Sequence, residues 1–130
     1  MLEPDLIEFL SLSLPGVTGG VHLGNIPQNQ PVPAVAIENI SGSTPRTLGN
    51  TALFSRADIQ ITVVGDERYS TVLPVANQIR ALLDGYKGTF TTTKIESCRC
   101  LADPADSSVV DGTKIIRALT LDFKFTYRNL

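Results

Sequence analysis

From Leu53 onward the chain alternates, with Leu53, Ala57, Ile59, Ile61 and Val63 on one parity and Arg56, Asp58, Gln60 and Thr62 on the other. A period of two predicts a long strand with one buried face and one wet face. After Gly65-Asp66-Glu67-Arg68 the period changes: Val72, Val75, Ala76, Ile79, Leu82 and Leu83 trace a single helical stripe. Pro74 is compatible with that helix if Ser70 or Thr71 is its N-cap. The proline then lies in or just past the first turn, where backbone donors lack intrahelical partners. Asp84-Gly85 ends the helix.

The flanking segments follow the same logic. Glu3 to Ser13 predicts a short amphipathic helix, with Pro4 and the acids Asp5 and Glu8 near its start and Leu6, Phe9 and Leu10 on its apolar side. The stretch up to Pro33 is rich in proline and glycine and reads as an irregular connector with room for one short strand, Val21 to Leu23. Ala34 to Ile40, bounded by Pro33 and Gly42, predicts a strand. Residues 41–50 form a polar loop whose one large apolar residue is Leu48. Thr89 to Leu101 reads as extended, but neither frame of alternation persists, so a bulge or an edge position is expected there. Asp103-Pro104 breaks that strand, and Asp111-Gly112 signals a hairpin. Ile115 to Tyr127 alternates again and predicts a central strand with one buried face. The order supports an α+β fold: an antiparallel sheet of about four strands packed on one face by two helices. The expected core includes Ile59, Ile61, Ile79, Leu83, Leu121 and Phe123.

Composition narrows the function. The 130 residues are 42% hydrophobic with a net charge of −2, which predicts one folded domain spanning 1–130 and disfavours disorder. The longest apolar run, Ala34 to Ile37, is far short of the roughly 20 residues that cross a bilayer. Acids at Glu3 and Asp5 oppose a secretory signal, so synthesis and retention in the cytoplasm are expected. Eleven basic residues are scattered from Arg46 to Arg128, which disfavours tight nucleic-acid binding, since that affinity comes from clustered cations.

Candidate chemistry is sparse. His22 is the single histidine, and no nucleophile or orienting acid accompanies it in the local sequence. Cys98 and Cys100 fall on one side of a strand and read as free thiols. With His22 they are one ligand short of a four-ligand zinc site. The glycines of 16–24 lack a phosphate-cradle pattern, and the acids around Asp66-Glu67 and Asp103 to Asp111 read as solvated turn formers. No catalytic, cofactor-binding or metal residue is assigned, and an interaction protein is expected rather than an enzyme.

Several segments together resemble the small tail terminator, or tail completion, proteins of long-tailed bacteriophages and prophages. They are the Leu6-x-x-Phe9-Leu10 helix, Val32-Pro33-Ala34-Val35-Ala36-Ile37-Glu38 leading into Ile40-Ser41-Gly42, and Ala57-Asp58-Ile59-Gln60-Ile61. The helix ending Ile79-Arg80-Ala81-Leu82-Leu83-Asp84-Gly85-Tyr86-Lys87-Gly88 and Leu119-Thr120-Leu121-Asp122-Phe123-Lys124-Phe125 complete the set. The resemblance implies a virion protein, made in the host cytoplasm, that assembles with itself as a hexameric ring. Such a ring caps the tail tube, stops its polymerisation and offers a surface to the connector or neck of the head. Its implied partners are the tail tube protein and the neck protein, with DNA only as passing cargo, no membrane and no cofactor. The alternatives are a head-completion protein of the adjoining ring and, from another class, a thiol- or metal-dependent enzyme using His22, Cys98 and Cys100. Loops 41–52 and 102–113 are expected to reach neighbours. Arg46, Leu48 and Phe54 are the interface candidates, because large apolar side chains in a polar loop and on a wet strand face invite burial by a partner; the alternative is that Leu48 and Phe54 tuck under their own loop.

Overall fold

The computed structural model describes residues 2–24, 26, 31–43, 54–66, 68–111 and 114–129. In chain order the elements are α1 (Leu2–Ser13), β1 (Val21–Leu23), β2 (Ala34–Ser43), β3 (Ser55–Val64), α2 (Tyr69–Leu83), β4 (Gly88–Thr89), β5 (Thr93–Cys100), β6 (Ala105–Asp106), β7 (Val109–Asp111), β8 (Lys114–Ile116) and β9 (Ala118–Asn129). The α+β class expected from the pattern holds, but the sheet has seven strands rather than about four. Its order is β1-β2-β3-β9-β5-β4, with β6 also paired to β9. The sheet is also mixed. β1 adds to β2 in parallel, Val21 opposite Val35 and Leu23 opposite Ile37, while the other pairs are antiparallel.

Both helices lie on one face. Leu2, Leu6 and Leu10 of α1 and Val72, Ala76, Ile79 and Leu83 of α2 are buried in one cluster with Val35, Ile37, Ile59, Ile61, Leu121, Phe123 and Phe125 of the sheet. The six expected core residues are all in it. The start of α2 differs in detail from the expectation. The helix begins at Tyr69, before Ser70 and Thr71, so the cap position falls on Arg68, whose side chain makes no capping hydrogen bond; Asp66 Oδ1 fixes the approach to the helix, accepting from Arg68 N at 2.9 Å and from Thr71 Oγ1 at 2.9 Å. Pro74 is the sixth helical residue and solvent-exposed. At the other end Gly85 adopts φ +80°, the left-handed conformation that glycine accepts most readily, and stops the helix.

The expected irregularity after Thr89 is a bulge. The β5–β9 register shifts between Ile95 and Ser97, so Ile95 and Cys98, three residues apart, are both buried. A second bulge, in β2, was not expected: the register with β3 shifts between Asn39 and Ser41. The final run is also broken. Gly65 N donates to Arg117 O at 2.9 Å and Arg117 N donates to Asp66 O at 3.1 Å, tying this residue to the β3–α2 turn instead of the sheet ladder. The residues before it form the β7–β8 hairpin, which pairs Val110 with Ile115 and constitutes a separate two-stranded sheet. A hairpin is therefore found beside Asp111, although Gly112 lies outside the described residues, and the segment 102–113 is part strand rather than all loop.

Candidate assembly surfaces

The residues that carry chemistry do not converge. His22 is on edge strand β1 and Cys98 and Cys100 are on β5, four strand spacings of about 4.8 Å away along the sheet. His22 Nε2 lies 2.7 Å from Gly19 O and is engaged within its own turn. Burial, reinforced by the nearby Asp84 and Cys100, pushes the Cys98 thiol up to about 12, so it is protonated and inert as a nucleophile at neutral pH. Cys100 Sγ donates to Ala102 O at 3.1 Å. Among the described residues no three histidine, cysteine, aspartate or glutamate side chains gather as a metal set, and no helix is long and apolar enough to cross a membrane.

One acid is held in an unusual way. The Asp5 side chain, on the inner side of α1 and only 7% exposed, receives three hydrogen bonds on Oδ2: from Thr92 N at 2.8 Å, Thr92 Oγ1 at 2.7 Å and Thr93 Oγ1 at 2.7 Å. Burial alone raises its pKa, but the threonine hydrogen bonds outweigh it and hold the carboxylate below the ordinary aspartate value. This is a strut between α1 and the β4–β5 turn. Beside it Phe9 of α1, Tyr86 before β4 and Phe90 of the β4–β5 turn form an aromatic cluster with ring centroids 4.9–5.2 Å apart.

Of the three interface candidates, Arg46 and Leu48 lie outside the described residues. Phe54 immediately precedes β3, is half-buried, and has the Arg56 guanidinium carbon 5.0 Å from its ring centroid.

Two apolar surfaces escaped the sequence reading. The first is on the outer face of the sheet, opposite the helices. There the β2 bulge turns both Ile40 and Ser41 outward, and Ser41 Oγ donates to Asp58 Oδ2 at 2.7 Å. The β5 bulge similarly leaves Leu101 outside, with its N–H donating to Asp122 O at 2.9 Å. Ile40, Leu101, Asp58, Ile59, Gln60 and Asp122 line an open cleft of about 300 Å³, with Ile40 57% and Leu101 53% exposed. The second surface is the β7–β8 hairpin, where Val110 is 69% and its cross-strand partner Ile115 39% exposed. The visible signals were an isoleucine and a leucine at strand ends and a Val-Val…Ile-Ile hairpin, all of which read equally well as core.

No protein-family profile matches the chain, and no curated protein sequence matches it. Among solved structures its fold matches that of a chain described as "Virion of native gene transfer agent (GTA) particle". The TM-score is 0.61 at 13% sequence identity, covering 95% of this chain and 92% of that one. The two chains share a fold from end to end.

Proposed function

We propose that this chain is a structural protein of a phage-type virion. It acts as one tail-terminator-like domain whose copies close into a ring, a hexamer in the family it resembles, at the head-proximal end of the tail tube. The observation that carries the reading is the end-to-end fold match to a virion chain, joined to the tail-terminator-like motifs distributed along the sequence. The geometry is compatible in two respects. The thiols and the histidine lie far apart, leaving no assembled reaction centre among the described residues, while apolar side chains are presented on two separate surfaces. A ring at this position ends tube growth by occupying the surface on which the next tube ring would assemble, and it offers its opposite side to the neck. Weak net charge suits a channel that DNA passes without sticking.

Within this reading Arg46, Leu48 and Phe54 contact a neighbouring copy or the tube. Replacing Leu48 and Phe54 with Asp places carboxylates where an apolar contact is to be buried, which opposes docking far more than it disturbs the free chain. The double variant is expected to keep the circular dichroism of the parent while losing ring mass in native mass spectrometry and giving abnormally long tails by electron microscopy. Normal rings and tails in that variant would remove these residues from the interface. Tubes of normal length that fail to join heads would move the chain to the adjoining neck ring.

A further inference from the structure

We infer that the basic end of the outer sheet face, built on Arg56, Arg99 and Lys124, holds the phosphate backbone of duplex nucleic acid, weakly and without regard to sequence. The surface is a property of the folded chain and goes beyond the ring reading, on which it does not depend.

Strand register gathers what the sequence scatters. Arg56 of β3, Lys94 and Arg99 of β5, and Lys124 and Arg128 of β9 alternate with the buried Ala57, Ile95, Cys98 and Phe125, so all five point away from the helices. In the ladders Arg99 is directly opposite Lys124 and Lys94 directly opposite Arg128, while Arg56 faces Thr126, the outward neighbour of Lys124 along β9. Like charges directly opposite one another destabilise a sheet. The Lys94–Arg128 pair is bridged, since Glu96 Oε1 lies 2.8 Å from Arg128 Nη2 and 3.9 Å from Lys94 Nζ. Arg99 and Lys124 have no such bridge, and among the described residues their side chains make no hydrogen bond or ion pair. Asp58 faces Lys124 across the β3–β9 ladder, but its Oδ2 accepts from Ser41 Oγ at 2.7 Å instead.

The surroundings of these cations select the occupant. Arg56 and Lys124 line an open depression of about 210 Å³ with Ser41 and Asp58, and Thr126 and Ser97 continue the outward row from Arg56 across the sheet. The Arg56 guanidinium carbon lies 5.0 Å from the Phe54 ring centroid, which restrains the group without using its N–H donors. Cations interspersed with hydroxyls are the side chains that contact phosphates, and such contacts carry no sequence information. A protein partner fits this inventory poorly, because the centre of a protein interface is depleted of charge and anchored by large apolar side chains. The exposed apolar side chains of this face, Ile40 and Leu101, sit instead at the next row, where Glu38, Gln60 and Asp122 make the surface acidic.

Three unbridged cations set the strength. Each phosphate neutralised contributes about −0.9 to the slope of log K against log salt, so the expected slope is about −2.7 and the affinity falls roughly fortyfold from 50 to 200 mM salt. Contact this weak is transient, as suits a chain whose net charge is −2.

The test measures binding of the full chain to a short fluorescent DNA duplex of arbitrary sequence, by anisotropy across a salt series, with circular dichroism to check folding. The parent is expected to bind with the slope above, and Arg56→Gln, Arg99→Gln and Lys124→Gln each to weaken binding at low salt and reduce the slope by about 1. Asp58→Asn removes the carboxylate that lines the depression and should strengthen binding several-fold. Arg68→Gln, at the start of α2 in the helix layer, should change nothing. Because Arg99 and Lys124 oppose each other, Arg99→Gln should leave the urea midpoint unchanged or raise it, which separates a binding role from a structural one. No duplex binding by the parent at low salt, or a slope that survives the triple substitution, would overturn the inference and leave the ring reading untouched. Loss of self-association in native mass spectrometry while duplex binding persists would also overturn it, by assigning the face to a protein partner.

Discussion

Replacing Asp5 with Ala removes three hydrogen bonds that converge on one carboxylate oxygen. Hydrogen bonds to a charged group contribute about 1.5–3 kcal/mol each, and a buried donor left without a partner costs about 1–3 kcal/mol. The buried Thr93 hydroxyl takes the full penalty. Thr92 is exposed and recovers much of its loss from water, and Asp5 itself lines an open depression beside Glu8 and Thr91. The sum expected for Asp5→Ala is therefore about 2–4 kcal/mol at neutral pH, well below three full bonds. Asp5→Asn keeps the shape and loses the charge, for about 1–2 kcal/mol. The pH dependence carries the sharper signature. Because the folded pKa lies below the unfolded value of about 3.9, the ionised strut contributes its full stability above that pH and loses it as pH falls through the folded pKa. Urea denaturation between pH 7 and pH 2 should show the parent losing stability on the acid side and Asp5→Asn losing less over the same window. A loss below half a kcal/mol for Asp5→Ala at pH 7, or identical acid limbs for parent and Asp5→Asn, would refute the strut.

Leu121→Ala should cost about 2–5 kcal/mol by the same assay, because this fully buried side chain sits in the central strand against which α2 packs. Replacing Cys98 and Cys100 with Ser should leave assembly intact with modest destabilisation, and elemental analysis should find no stoichiometric zinc. Cys98 should resist alkylation at pH 8 until the chain is unfolded, since burial keeps its thiol protonated. The Leu48 and Phe54 substitutions test the proposed contact with a neighbouring copy or the tail tube.

Periodicity carried the reading furthest where an element has one dry and one wet face. The α2 stripe, the β3 alternation and the buried parity of β9 are all found where the pattern predicts them, because each faces the same core. It failed where pairing is set by distant backbone. The three residues of β1 carry no signal that they will join β2 in parallel. In Ile115 to Tyr127 Arg117 is the one polar residue on the apolar parity, and it is there that backbone bonds to Gly65 and Asp66 divide the run. The β2 bulge was hidden for a different reason. Ala34 to Ile37 is apolar on both parities and Glu38-Asn39 is polar on both, so no alternation marked which way Ile40 would turn. Asp5 did leave a trace, as an acid within the stripe of Leu2, Leu6 and Leu10, but its partners lie 87 and 88 residues away and an acid in a first helical turn already has an ordinary explanation.

The central claim is that this chain ends the growth of a tail tube. The measurement that reaches it most directly is the distribution of tail lengths, by electron microscopy, in particles assembled with the gene for this chain deleted. Tubes that overrun their set length and fail to join heads are the predicted result, since the last tube ring remains a competent surface for the next. Tails of normal length, joined to heads in the complete absence of the protein, would contradict it.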